Sequence, residues 1–348
     1  MVAIPVEIIV CEILSRVPTK VVGRSKSVCK EWYALLSTPD FAKIHCSRSL
    51  KSTNQRVLFV GDQTCYVRPI NNQSCEYGLG TIVHFPFNDF SIHSHLDGLL
   101  CVRLESTTEL LLWNPITGAY KNLSTNDFHG FFLSNQDAVG LYIDLFEDYK
   151  VLHIKRRCGV YFAKVYSRRL DSWRSIPFIT RPEYIRPSFN WSSGTLCGDT
   201  LYFTISESYV GGVNVVICFD VNLEQFKEIS FPPVPSKGIY KGELLNVNNE
   251  LYMFVSTGYR QMSVELWKLE GEHWSKVLSS SQIPNISLDL WCSMTHFMTN
   301  GNWLLMNREG KLCEIEMDTK PFECFYHASC FRLKSGAIFL ETVVSPTL

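Results

Sequence analysis

His93 and His95 stand two residues apart, with Asp89 and Asp97 close by. On a strand this spacing sends both imidazoles to one face, a pattern that a divalent metal uses. No third ligand follows at metal-site spacing, and no side chain that would orient the imidazoles is evident. Thirteen cysteines are an odd number and none lies in Cys-x-x-Cys spacing. They read as free, mostly buried thiols rather than a zinc site or a disulfide framework. With nine histidines besides, so many Cys/His pairings exist that none singles out a nucleophile. A Gly-x-Ser-x-Gly elbow, a phosphate-binding Gly-rich loop and a dinucleotide fingerprint are all absent from the sequence. Glu147-Asp148 reads as a solvated surface turn, and Lys155-Arg156-Arg157 and Arg168-Arg169 as basic turns between strands. Phe231-Pro232-Pro233-Val234-Pro235 reads as a rigid connection following a hairpin. No catalytic residue, metal or cofactor is expected.

The elements around these residues must therefore explain the chain. Its 348 residues suit one small domain and one large one. Apolar residues make up 46% and charged residues 19%, enough to bury a core. The net charge of -1 offers nucleic acid no basic face. The N-terminus lacks a basic leader, Glu7 and Glu12 interrupt its apolar run, and no run approaches the ~20 residues of a membrane span. The expectation is a cytoplasmic or nuclear protein in which the Asn-x-Ser sequons at Asn72, Asn122, Asn190 and Asn285 are silent.

Residues 1–45 carry helical periodicity. Pro5 suits a first turn, and Val6, Val10, Leu14 and Val17 form one stripe, with Ile9 and Ile13 beside it. Pro18 stops this helix, and Thr19 is the expected N-cap of a second helix running through Arg24. Val28, Trp32, Leu35 and Leu36 mark a third, ended by Ser37-Thr38-Pro39. Helices of about ten residues are marginal alone. On pattern alone, these stripes either pack on the following domain or serve as a separate docking module.

The run Ile4-Pro5-x-Glu7-Ile8-Ile9-x-x-Glu12-Ile13-Leu14-Ser15-Arg16-Val17-Pro18, with Arg24, Val28-Cys29-Lys30-x-Trp32 and Pro39-x-Phe41, resembles the F-box motif in its plant form. The resemblance implies three helices that dock on a Skp-type adaptor and through it on a cullin. Carried over by position, the adaptor-facing residues are Ile4, Pro5, Ile8, Leu14, Val17, Pro18, Val28 and Trp32, with some of these belonging to the internal core. Gly23 and Ser25 stand where the family has large apolar residues. A helix-interior Gly costs about 1 kcal/mol relative to Ala.

Residues 46–56 are polar and basic and read as a linker. Beyond them, five segments place an apolar residue at a strand end, then a polar turn, and an aromatic residue seven positions later. They are Trp113 to Tyr120, Tyr166 to Trp173, Phe219 to Phe226, Trp267 to Trp274 and Ile315 to Phe322. Each reads as a hairpin whose aromatics return to the buried face. A repeat of about fifty residues built from short strands is the sequence sign of propeller blades. Gly98–Val102, Thr200–Thr204 and Glu250–Val255 read as inner strands of successive blades. The expected fold is α+β and multidomain: a three-helix F-box at 1–45, then an all-β propeller of about six blades at 57–348.

Leu110-Leu111-Leu112-Trp113-Asn114-Pro115-Ile116-Thr117-Gly118, Val165-Tyr166-Ser167 with Asp171-Ser172-Trp173-Arg174, and Phe219-Asp220 with Phe226 resemble the kelch-like F-box-associated domain of plant proteins. Only Gly211-Gly212 keeps the kelch glycine pair. The two resemblances together imply a non-catalytic substrate-recognition subunit of an SCF-type ubiquitin ligase. Its target protein would bind on propeller loops such as 125–135, 180–187 and 207–213. A propeller enzyme, a small-ligand binder and a non-degradative F-box scaffold are the competing readings.

Overall fold

The structure is a computed structural model. It describes residues 5–51, 55–60, 65–69, 81–83, 85–87, 89–123, 137–157, 160–178, 189–207, 214–234, 240–257, 263–279, 292–297, 303–307, 312–315, 324–327 and 335–347. The loops at 125–135, 180–187 and 208–213 lie outside the described residues. Two compact units emerge, one of residues 1–124 with 334–348 and the other of 125–333.

The first unit opens with the helices. A single α turn, α1 (Val6–Ile8), widens into a π turn over Ile9–Ile13 and tightens into a 3-10 turn over Leu14–Arg16. Then come α2 (Thr19–Ser25), α3 (Lys30–Leu36) and α4 (Pro39–Lys51). Thr19 is not an N-cap, because Pro18 occupies that position and Thr19 is buried as the first helical residue. Val28 precedes α3 instead of extending its stripe. Cys29 caps α3, with Sγ accepting the Trp32 N–H at 3.4 Å.

The linker expected over 46–56 is mostly helix. Thr38 Oγ1 caps α4 by accepting the Phe41 N–H at 3.2 Å, and Pro39 supplies the preset first helical residue. Polar composition misled there because the polar groups have uses. His45 and Ser49 are buried, and Arg48 reaches back to the first helix, donating to the Cys11 carbonyl, Ser15 Oγ and, at 3.2 Å, Glu12.

Six sheets follow, each an antiparallel meander, matching the expected blades. The first unit holds two. One contains β1 (Gln55–Val60), β2 (Cys65–Pro69) and β3 (Thr81–Val83). The next contains β4 (Phe90–Leu96), β5 (Leu99–Leu104), β6 (Leu110–Trp113) and β7 (Tyr120–Asn122). In the second unit, one sheet holds β8 (Ala138–Ile143), β9 (Tyr149–Arg157), β10 (Val160–Ser167) and β11 (Ser172–Ile176). Another holds β12 (Phe189–Trp191), β13 (Thr195–Cys197), β14 (Thr200–Glu207), β15 (Asn214–Asp220) and β16 (Gln225–Ser230). A third holds β17 (Tyr240–Val247), β18 (Glu250–Thr257), β19 (Ser263–Glu270) and β20 (His273–Ser279). The last holds β21 (Cys292–Phe297), β22 (Trp303–Asn307), β23 (Leu312–Ile315) and β24 (Cys324–His327). Finally β25 (Ser335–Leu340) returns to pair with β1 from Gln55↔Leu340 to Val60↔Ser335, completing the first sheet with a strand from the other end of the chain.

The repeat hairpins form as the sequence predicts at Trp113↔Tyr120, Tyr166↔Trp173 and Phe219↔Phe226, which are direct cross-strand pairs. In the fourth, Trp274 opposes Leu269 instead of Trp267. Gly271 at φ +67° makes a two-residue turn, and a bulge at Leu266/Trp267 absorbs the slip. Phe322 of the fifth lies outside the described residues.

The strands expected to be inner ones are second in their sheets. β5, β14 and β18 each pair on both sides. A strand so placed is covered on both faces, which is why β5 is buried along its whole length and apolar at every position but Arg103. Neighbouring sheets stack face to face over apolar layers. Leu58, Val60, Leu100, Val102, Trp113 and Phe339 fill one layer in the first unit. In the second unit, Tyr142, Leu152 and Ile154 meet Leu201 and Phe203, and Val216 and Cys218 meet Met253, Val255 and Trp267. Between β8 and the β12–β13 connection the approach is close enough that a Cβ on Gly194 would sit 2.6 Å from the Gly140 Cα.

Several local readings change. Lys155, Arg156 and Arg157 lie within β9, with Lys155 buried, so that run is strand and not turn. Arg168 and Arg169 do occupy a turn. Asp148 is buried, accepting from Ser167 Oγ at 2.5 Å and from the Arg169 N–H at 2.9 Å, while Glu147 is exposed. Phe231 and Val234 pack on the core as the rigid connection predicts.

Candidate functional site in the N-terminal helices

The helices bury one small core. Val10, Leu14, Val22, Leu36 and Phe41 are its centre, with Val17, Trp32, Leu35 and Val343 packed against it. Leu14, 7% exposed, is thus core and not a docking residue, and Val17 and Trp32 lean on that core. Pro5 and Pro18 are exposed, as are Ile8 at 49% and Val28 at 65%. Ile4 lies outside the described residues. Three more large apolar side chains stand in solvent on the same short stretch: Ile13, Val21 and Tyr33. The sequence stripe missed Val21 and Tyr33 because an apolar residue off the stripe has no periodicity to mark it. Exposed apolar side chains concentrated on one small module mark an interaction surface.

The two departures at α2 have different consequences. Ser25 is buried. Gly23 is exposed, and a Cβ there would meet nothing within 4 Å. The helix is therefore thin on its solvent side and not collapsed onto a neighbour.

The helical core is completed by the C-terminal segment. Val343 packs into it, and α4 lies against β25. Residues 341–344 are held from several directions. Asn114 Nδ2 donates to the Thr342 carbonyl at 3.1 Å and to the Val344 carbonyl at 2.8 Å, while its Oδ1 accepts the N–H groups of Ile116 (2.9 Å) and Thr117 (3.2 Å). Thr342 Oγ1 donates to the Asp97 carbonyl at 2.6 Å, and Arg56 Nε donates to buried Glu341 at 2.8 Å. Asp97-Gly98 is a two-residue turn with both φ values positive, at 50° and 83°. A Cβ on Gly98 would strike Thr342 Oγ1 at 2.4 Å, so glycine is needed twice over. Nearby, His45 Nε2–H donates to the Val17 carbonyl at 3.0 Å. Burial is the largest influence on that imidazole and holds its pKa below the usual histidine value, against the opposing pull of the Val17 carbonyl and the Glu341 charge.

The residues singled out as metal-like are dispersed. A bulge between Ile92 and Ser94 removes His93 from the ladder, and its Nε2 lies 3.0 Å from Ser91 Oγ. Among the described residues no three His, Cys, Asp or Glu side chains cluster as metal ligands. Of the described cysteines, Cys46, Cys65, Cys101 and Cys218 are buried. Burial pushes the Cys65 thiol up to about 11 and those of Cys101 and Cys218 to about 12, which keeps them protonated and unreactive.

Comparison with known proteins agrees with this division. Residues 4–44 match the F-box domain, and residues 69–326 match the F-box associated beta propeller domain. The chain belongs to that F-box family. Two F-box/kelch-repeat proteins of Arabidopsis thaliana are similar to it over most of their length. One is 25% identical, covering 96% of this chain and 94% of the relative, and the other is 25% identical, covering 89% and 82%. The crystal structure of TolB from Acinetobacter baumannii shares the fold at a TM-score of 0.52 and 12% identity, covering 85% of this chain and 72% of TolB. The F-box implies a role in the ubiquitin pathway. β1 and β25 both fall outside the stretch matched to the propeller family, yet they pair to complete its first sheet. No helix among the described residues is long and apolar enough to cross a membrane.

Proposed function

We propose that this F-box protein is the substrate-recognition subunit of an SCF-type E3 ubiquitin ligase. Its helices bind a Skp-type adaptor and through it a cullin, and its β sheets hold a target protein in the cytoplasm or nucleus. The observation that carries this reading is the set of exposed apolar side chains on the F-box helices: Ile8, Ile13, Val21, Val28 and Tyr33. With Ile4, Pro5 and Pro18 they make the adaptor-facing set, while Leu14, Val17 and Trp32 are assigned to the core that supports it. Burying one such side chain contributes about 1.5–3 kcal/mol, so a few of them suffice for a specific complex. The mechanism is proximity: holding a target lysine beside the conjugating enzyme raises its effective concentration. The chain itself supplies no acid, base or nucleophile.

The test is co-purification of the full chain with a Skp-type adaptor. Replacing Ile8 and Val28 together by Asp should abolish it while leaving the melting temperature unchanged, because neither side chain belongs to the helical core. Retained co-purification would refute the assignment.

A further inference from the structure

Four large apolar side chains stand far out in solvent at turn tips of the second unit: Leu145 at 75%, Phe146 at 74%, Leu170 at 71% and Leu223 at 67%. The folds of these turns do not need them. The β8–β9 turn is held by Asp144 Oδ1, which accepts the N–H groups of Phe146 (2.9 Å) and Asp148 (3.0 Å). Leu170 is placed by its N–H donating to Ser167 Oγ at 3.0 Å, and Leu223 by its N–H donating to Asp220 Oδ1 at 2.8 Å. Backbone and polar caps hold each turn rigid, and the apolar side chains project from it. Turns of this kind are ordinarily polar.

The four tips share one rim. In an antiparallel meander, the turn joining the first two strands and the turn joining the last two lie at the same end. The turns at this end of three consecutive sheets are stitched together. The Arg169 guanidinium donates to the Phe146 carbonyl within one sheet. Between sheets, Arg174 pairs with Glu224, and Lys150 Nζ lies 4.0 Å from Glu224 and 2.8 Å from Asp144. One sheet further on, the Gly198 N–H donates to Asn249 Oδ1 at 2.6 Å, and Lys227 lies 3.8 Å from Glu272.

The rim is also acidic. Across its six turns, at 144–148, 168–171, 198–199, 221–224, 248–249 and 271–272, there are seven carboxylates and two guanidinium groups. One group of each sign is buried, Asp148 beneath its turn and Arg168 over the Tyr149 ring. Glu147, Asp171, Asp199 and Glu272 are exposed. The strand cations Lys150, Arg174 and Lys227 pair with Asp144, Glu224 and Glu272, and the rim keeps a modest acidic excess on a chain whose net charge is -1.

We infer that this rim is the target-docking face, and that it takes a protein segment presenting apolar side chains flanked by lysine or arginine. Preorganised turns let Leu145, Phe146, Leu170 and Leu223 anchor such a segment with little ordering cost on the receptor side. The carboxylates steer it and fix its register. The inference rests on the target-recruiting reading of the β sheets, and the experiment separates the two.

The full chain, alone and mixed with a Skp-type adaptor, is titrated against two sets of fluorescent synthetic peptides. Both carry Leu and Phe, with Lys and Arg at the charged positions of one and Asp and Glu at those of the other. We expect members of the basic set to bind, more weakly as salt rises. Replacing Leu145, Phe146, Leu170 and Leu223 together by Ser should weaken them about tenfold or more, with adaptor binding and melting temperature unchanged. Loss on converting Glu147, Asp171 and Asp199 to Lys supplies the second, independent support. Equal binding of the basic set to the Ser variant would show non-specific charge attraction and overturn the inference. So would preferential binding of the acidic set, binding of neither set, or a wild-type dimer that the Ser variant abolishes, since the rim would then face a second copy. Failure of adaptor binding with the peptide result intact would instead refute the ligase reading alone.

Discussion

Asn114 is fully buried and makes four hydrogen bonds, two inside its own turn and two to the C-terminal segment. In Asn114→Ala the N–H groups of Ile116 and Thr117 lie near the surface and regain water at about 0.5 kcal/mol each. The carbonyls of Thr342 and Val344 belong to residues that are 0% and 4% exposed, and solvent does not reach them. Leaving a buried acceptor unmatched costs about 1–2 kcal/mol each, so the total should be about 3–5 kcal/mol. Asn114→Asp separates the two pairs. Its carboxylate still serves the turn amides but points an acceptor at the two carbonyls, so it should cost at least as much as Ala. Urea unfolding of the full chain, followed by tryptophan fluorescence, reads both. If Asn114→Asp is within about 0.5 kcal/mol of wild type, the turn alone matters and the clasp of the C-terminal segment is refuted. Because Val343 packs in the helical core, both variants should also weaken adaptor binding from a site far away in sequence.

The helices give further expectations. His45 is depressed by burial, so the unfolded chain binds its proton first. Stability should hold above the unfolded value of about 6.5 and fall as pH drops from there toward the lower folded value. His45→Gln should flatten that slope in pH-dependent thermal melts. Gly23→Ala fills open space in a helix and should stabilise by up to about 1 kcal/mol, read as a raised melting temperature. An unchanged or lowered value would mean that Gly23 is not a simple helical position. The rim variant Leu145→Ser/Phe146→Ser/Leu170→Ser/Leu223→Ser should lose basic-peptide binding without losing adaptor binding.

The periodic parts of this fold were legible. A seven-residue offset recurring about every fifty residues gave hairpin registers that the structure reproduces at Trp113, Tyr166 and Phe219, because turn length fixes which residues face each other. It slipped at Trp274, where Gly271 permits a shorter turn. The pairing of β1 with β25 had no local sign, since no pattern in either segment names a partner at the other end of the chain. Helix α4 was hidden by its polarity: Arg48 and His45 look solvated in sequence, but they face the first helix and the Val17 carbonyl.

The division of the docking residues was not legible for a related reason. Leu14 and Ile8 are both apolar and both suit helical periodicity, yet one is 7% exposed and the other 49%. Six residues apart, they fall on different faces of a helix, and which face meets the core is decided by Phe41 of α4 and by Val343, which pack against Leu14's side. Val28 read as part of the α3 stripe and instead precedes the helix. The rim leucines escaped notice because an apolar residue next to a strand reads as more strand.

The central claim is adaptor docking through the exposed helical side chains. It is tested most directly by the affinity of a Skp-type adaptor for the full chain and for its Ile8→Asp/Val28→Asp variant, measured by calorimetry. Losing two apolar contacts, at about 1.5 kcal/mol or more each, predicts a dissociation constant raised more than about a hundredfold. A folded variant that binds the adaptor as tightly as wild type would contradict the account.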